Sequence, residues 1–237
     1  DLIFSQSIEQ LMKQGNDYYQ KEQYEQAVNL YSEILNKGYE SASLYYNLGN
    51  AYFRSNKLGM AILNYERGLK LQPNDEDLQY NLKIANSRTV DKIQELPKLF
   101  FVKWWEIIIT SLSMAALSLL LIAVFTLFLA AIAVYLLSKN LRLQRFSFFS
   151  GSVLLAVLLI VTIMFISRVD REESSNYAVL IEPSITAKIA PDNKSGDAFL
   201  IHEGIKFQLI DRVNDWSKIK LSDGKIGWLP NNSFGKI

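Results

Sequence analysis

MAALSLLLIAVFTLFLAAIAVYLL (residues 114–137) and FFSGSVLLAVLLIVTIMFI (residues 148–166) decide how this chain is read. From Ile107 to Leu137, and again from Phe146 to Ile166, there is no Asp, Glu, Lys, Arg, His or Pro. About 20 apolar residues in a helix cover a hydrocarbon core of roughly 30 Å, and Leu, Ile, Phe and Val each favour insertion. We read two transmembrane helices joined by a basic loop that carries Lys139, Arg142 and Arg145. A buried helix of a soluble protein could have a similar composition. Two such runs in tandem, with Trp104-Trp105 before them and Arg168 after, match interface-anchored spans instead.

As a straight helix, residues 107–137 would be about 46 Å long, more than one span needs. The early part, with Thr110, Ser111 and Ser113, is also more polar. The first span is therefore placed at 114–137, and residues 99–112, with Lys103, Trp104, Trp105 and Glu106, form an amphipathic helix along the interface. The second span is placed at 148–166. A hairpin returns the chain to the side it left, so both soluble arms share one compartment. The basic loop marks the cytoplasmic side, which puts both arms outside. The expected fold class is a multidomain membrane protein: an all-α repeat solenoid, a transmembrane helical hairpin and a small all-β barrel.

The chain has 237 residues, with 25 basic and 24 acidic side chains, so no global charge draws it to nucleic acid. No basic stripe with interleaved aromatics lies outside the membrane region, and nucleic acid is set aside. Cysteine is absent, which removes disulfides, zinc-thiolate sites and cysteine nucleophiles. The chain begins at Asp1, as a cleaved leader peptide or a trimmed chain would.

The N-terminal arm, 5–95, repeats itself at a spacing of 34. Gly15, Asn16, Tyr18, Ala27 and Tyr31 recur as Gly49, Asn50, Tyr52, Ala61 and Tyr65. Small residues fit where two helices of a pair touch, and large ones fill the layer between pairs. This period and pattern resemble tetratricopeptide repeats. The repeats run over about 8–41 and 42–75, and a capping helix begins at Asp75 with an acidic first turn. Two repeats are few for a solenoid to stand alone, so support from the interfacial helix or a partner is expected.

The resemblance implies protein or peptide binding on the concave face of the first helices. Met12, Asn16, Tyr19, Tyr46, Asn50 and Phe53 are its candidate lining. Met12 and Tyr46 stand where a carboxylate clamp wants bases, so an extended or helical peptide with apolar anchors suits this groove better. The same aromatics could also serve only to pack against the cap.

In the C-terminal arm, 177–237, five short β-type runs are separated by turn pairs such as Asn214-Asp215 and Asp223-Gly224. Asp-Gly between two such runs signals a hairpin with a two-residue turn, in which Gly takes the positive φ. Five strands in so short an arm imply a small closed or nearly closed barrel. The run His202-Glu203-Gly204, then Asp215-Trp216, then Gly227-Trp228, resembles bacterial SH3 domains. Alternation along the strand sets Trp216 with Lys218 and Lys220, as a partly exposed platform or a cover for the barrel end. The same reading puts Trp228 with Ile226, in the core.

No catalytic motif is present. The lone histidine, His202, has no spaced ligand partners, and the acidic run 75–77 reads as a helix start. No enzyme, metal or cofactor is expected. The order of parts, with the segment 81–93 and Trp104-Trp105, resembles the BatE family of aerotolerance-operon proteins. That resemblance implies a bacterial envelope protein, in the inner membrane with its arms in the periplasm, working beside membrane proteins with von Willebrand A domains and an AAA-type ATPase. Two binding modules tethered by one short hairpin raise their mutual effective concentration, so a non-enzymatic, membrane-anchored scaffold is the expected role. A second reading is recognition of cell-wall peptides by the SH3-like domain.

Overall fold

The computed structural model describes residues 2–93, 99–173 and 176–237, with side chains from Ile8 onward except those of 106, 110 and 170–173. Glu95, Lys98 and the linker residues Ser174 and Ser175 lie outside the described residues. The chain forms two compact units. One joins Asp1–Leu96 to Asn176–Ile237, and the other is Pro97–Ser175.

The first unit opens with five helices: α1 (Leu2–Gln20), α2 (Tyr24–Asn36), α3 (Ala42–Arg54), α4 (Leu58–Leu71) and α5 (Glu76–Arg88). Ser41 caps α3 by accepting from Leu44 N at 3.1 Å, and Asp75 caps α5 by accepting from Leu78 N at 2.9 Å. The turns inside each pair hold a left-handed residue at the same place, Glu22 (φ 59°) and Asn56 (φ 58°), 34 residues apart. The repeat glycines make the pairs close. A Cβ on Gly15 would sit 2.5 Å from Tyr31 Cε1, and one on Gly49 would sit 2.5 Å from Tyr65 Cε1. Tyr52 is buried, whereas its counterpart Tyr18 is exposed and fills no layer.

α4 is buried on nearly every side, unlike an ordinary surface helix. Ala61, Tyr65 and Gly68 face the other helices, while Gly59, Ile62, Leu63, Glu66, Arg67 and Lys70 face the β-domain.

That domain has seven strands: β1 (Tyr177–Leu180), β2 (Ser184–Lys188), β3 (Asp197–His202), β4 (Lys206–Val213), β5 (Trp216–Lys220), β6 (Ile226–Pro230) and β7 (Phe234–Lys236). Sequence reading expected five. β2 carries Ser, Thr and Lys among its five residues, and β7 has three, so neither shows an apolar run. The sheet is antiparallel in the order β3-β2-β6-β5-β4-β1-β7, so β3 and β7 are its edges. Its interior holds Ala178, Leu180, Ile201, Phe207, Ile219 and Leu229.

One local expectation is corrected. The Asp223-Gly224 hairpin is a three-residue loop, with Leu221 N donating to Lys225 O and Gly224 (φ +91°) taking the left-handed place. Trp228 is buried, as expected, although it pairs across strands with Lys218 and Lys188 and Ile226 on the same face is exposed.

The second unit contains α6 (Phe100–Thr110), α7 (Met114–Leu137) and α8 (Leu141–Glu173). Two of these helices are long and apolar enough to cross a membrane. They pack antiparallel through small residues. Ser147 Oγ donates to Ala131 O at 2.9 Å, and Gly151 lies beside Ala131. The connection is shorter than the expected basic loop. Asn140 Oδ1 accepts from Arg142 N at 2.9 Å and starts α8 there, so Arg142 and Arg145 are helical. Nothing in Leu141–Arg145 breaks a helix.

Candidate protein-interaction site

The same hydrogen-bonded triad occurs twice in the repeats, shifted by 34 residues. Tyr31 Oη donates to Asn16 Oδ1 at 2.7 Å, and Asn47 Nδ2 donates to the same oxygen at 3.3 Å. In the second copy Tyr65 Oη and Asn81 Nδ2 donate to Asn50 Oδ1 at 2.7 and 2.8 Å. Each asparagine oxygen thus ties a second helix of a pair to two successive first helices. Burial pushes the Tyr31 phenol up to about 12 and moves Tyr65 in the same direction, so both hydroxyls stay donors.

With their oxygens engaged, Asn16 and Asn50 have amide hydrogens left to offer at the helix surface. A cavity of about 200 Å³ opens there, lined by Asn16, Tyr19, Gln20, Tyr31, Asn47 and Asn50. Its wall is neutral, made of amides and phenols, which suits hydrogen bonding to a peptide backbone. Tyr19 is steadied by an edge-on contact with Tyr24, and Tyr24 Oη accepts from Arg54 Nε at 3.0 Å.

Of the residues singled out in the sequence, Asn16, Tyr19 and Asn50 come together here. Met12, Tyr46 and Phe53 do not line the cavity. Met12 sits 4.0 Å from Asn47 Nδ2, Tyr46 packs on the helical core, and the Phe53 ring lies 4.4 Å from the Arg88 guanidinium carbon. Trp216 belongs to the β-domain, half-buried opposite Pro230. Gln20, Tyr31 and Asn47 were missed. The recurrence of Asn47 at Asn81 was the available signal for Asn47.

The β-domain occupies the other side of the second pair. Glu203 Oε2 accepts from Gly59 N at 2.7 Å at the start of α4, whose own preceding residue, Lys57, gives no side-chain cap. Lys206 pairs with Glu66 at 2.7 Å. Arg67 donates twice to Lys236 O, and Lys70 donates to Ile237 O, so α4 covers the β7 edge. Asp91, just after α5, accepts from His202 N at 2.7 Å and lies 3.2 Å from the imidazole. This is the role of the lone histidine.

Residues 42–75 match the tetratricopeptide repeat model, and residues 15–56 match a second model of the TPR repeat. The chain therefore carries TPR repeats, which present concave surfaces for binding proteins and peptides. No curated protein matches the chain. Among solved structures, an NlpC/P60 family protein from Bacillus cereus aligns at 16% identity and TM-score 0.22, over 27% of this chain and 22% of that one. The chain thus spans about a fifth of that protein. The C-terminal SH3 domain of myosin IB from Entamoeba histolytica aligns at 22% identity and TM-score 0.19, over 27% of this chain and 97% of that one. The first TPR of Spaghetti, bound to an HSP90 peptide, aligns at 23% identity and TM-score 0.22, over 35% and 93%.

Proposed function

We propose that the chain is a non-enzymatic, membrane-anchored scaffold whose TPR groove holds an extended peptide segment of a partner protein. The observation that carries this reading is the cavity walled by Asn16, Tyr19, Gln20 and Asn47, set on helices that the β-domain leaves uncovered. Anchoring is favoured by two helices long and apolar enough to cross a membrane, and two crossings rather than one agree with the way the first unit is built. Residues before and after α7 and α8 fold into one body, with Glu203 capping the helix that begins at Leu58. Such a body forms only if both ends of the intervening segment emerge on one side, which requires an even number of crossings. The resemblance to BatE proteins favours a position for that body in the bacterial periplasm, within an aerotolerance or stress-related complex of von Willebrand A-domain membrane proteins. A second reading, cell-wall peptide recognition by the SH3-like domain, is favoured by half-buried Trp216 beside Lys218 and Pro230.

A photo-crosslinking residue at Gln20 in the full chain, in native membranes, tests the groove. Adducts with a partner protein that disappear on Tyr19→Ser and persist on Trp216→Ala are expected. Adducts unaffected by Tyr19→Ser would remove the groove from the account. Loss on Trp216→Ala alone would favour the second reading.

A further inference from the structure

Outside the two long apolar helices, the most exposed aromatic side chains among the described residues are Phe100 (77%) and Trp104 (71%), both on α6. With Ile107 (64%) they form a row at i, i+4 and i+7, which is one flank of a helix. Ile109 is 4% exposed and falls on the opposite flank. That flank meets the helical bundle, and α6 packs against α8.

The remaining two sides differ from each other. Stepping about 100° per residue, Phe101 and Ile108 fall together, with Trp104 and Trp105 on the two shoulders beside them. Lys103 falls roughly opposite, and positions 106 and 110 share its side. The helix therefore has a narrow polar strip, and apolar residues take up the rest of its circumference. Sequence reading expected an amphipathic helix. Here the apolar arc is wide enough to give one flank to α8 and still leave an outer flank and an underside uncovered by it.

The occupant of those two sides follows from length, polarity and continuity. α6 has 11 residues and is about 16 Å long, half of a hydrocarbon core of roughly 30 Å, so it enters a bilayer without crossing it. Ser111 Oγ donates to Ile108 O at 2.7 Å where α6 ends, and Ser113 starts α7 as a separate helix by accepting from Ala116 N at 3.2 Å. α7 and α8 expose apolar surface of their own, Leu119, Ile122, Val153 and Ile163 included. One apolar solvent serves all of these faces. Tryptophan on the shoulders, between a polar strip and an apolar underside, matches the order of polarity across a membrane–water interface.

We infer that α6 is a lipid-binding helix embedded in one leaflet, with α8 along one flank and acyl chains against Phe100, Phe101, Ile107 and Ile108. Lys103 faces the water. The protein thus holds the membrane by a third segment that does not cross it. This inference rests on the reading of α7 and α8 as spans.

The test uses the full chain, which has no cysteine of its own, reconstituted in phosphatidylcholine–phosphatidylglycerol vesicles. Nitroxide labels are placed singly at Phe100→Cys, Phe101→Cys, Lys103→Cys and, within α7, Leu127→Cys, all exposed positions where a label displaces no packed side chain. Collision with oxygen, which concentrates in lipid, is compared with collision with a water-soluble nickel chelate. The oxygen-to-nickel ratio should be severalfold higher at Phe100→Cys and Phe101→Cys than at Lys103→Cys. The Phe101→Cys label should lie about 5–10 Å into the headgroup–acyl boundary, and the Leu127→Cys label deeper still. Equal ratios at all three α6 positions, with Leu127→Cys still deep in lipid, would overturn the inference and leave the spans standing. Phe100→Cys and Phe101→Cys labels screened from both reagents would overturn it too, because protein would then cover the face. Free access of the nickel chelate to Leu127→Cys would remove the spans and the inference together.

Discussion

At the scale of single residues, the recurring Gly–Tyr pair governs how tightly each repeat closes. Gly49→Ala would put a methyl group 2.5 Å from a carbon of the Tyr65 ring, which is fully buried and tied to Asn50. Alanine gains helix propensity over glycine, but overpacking a fixed ring costs about 1–3 kcal/mol. The expected net effect is a melting temperature lowered by roughly 5 °C, read by calorimetry on the full chain. The Tyr31 phenol adds a pH dependence. Its folded pKa is raised, so its contribution to stability is complete below the ordinary value of 10.0 and is lost as pH rises toward about 12. Tyrosinate absorbance should therefore show this phenol ionising well after the exposed ones. In Asn16→Ala, which removes the acceptor of its hydroxyl, the loss of stability should begin from a lower starting level. A Tyr31 that titrates with the exposed tyrosines would contradict the buried triad.

Among the elements, α4 carries the most structural information per residue. Its counterpart in the first repeat, α2, has Glu25, Asn29 and Glu33 where α4 has Gly59, Leu63 and Arg67. One helix is built to face solvent and the other to be covered. The comparison was available in the sequence, but repeat patterns are read for what recurs, and here the informative positions are those that differ. The repeat helices and the apolar helices were legible because period and composition report them directly. The docking of the β-domain was not, because no local pattern couples Gly59 to Glu203, 144 residues away. The same reason explains the site. Asn16 and Asn50 were visible as recurring polar residues, whereas the contact of Phe53 with Arg88 joins two helices and leaves no local pattern. Glu203→Ala tests the coupling. It removes the carboxylate at the start of α4, and caps of this kind are worth about 1 kcal/mol. Amide exchange should accelerate at Gly59 in the first turn of α4 and leave α1 unchanged. Uniform acceleration over all five helices would mean that the contact supports the whole unit and is no local cap.

For the molecule as a whole, the central fact is that one folded body is assembled from both sides of the apolar segment. Leu63 beneath Gly235, Ile62 and Thr89 beneath Gly204, and Val179 within the helical core join segments that sequence reading had kept as two arms. This assembly supplies the support that two repeats lack, since the β-domain covers α4 where a further repeat would otherwise stand. It also constrains membrane placement independently of charge counting. If α7 and α8 both cross, the short connection at Ser138–Asn140 lies on one side and the whole first unit on the other. The chain lacks cysteine, so single substitutions report position without background. Ser43→Cys in α3, Asn232→Cys between β6 and β7, and Lys139→Cys in the connection are all exposed. With an impermeant thiol reagent on sealed membranes, Ser43→Cys and Asn232→Cys should label together from one face, and Lys139→Cys only from the other. Labelling of Ser43→Cys and Asn232→Cys from opposite faces is incompatible with the docked unit. Labelling of all three from one face would leave the first unit intact and exclude the two crossings.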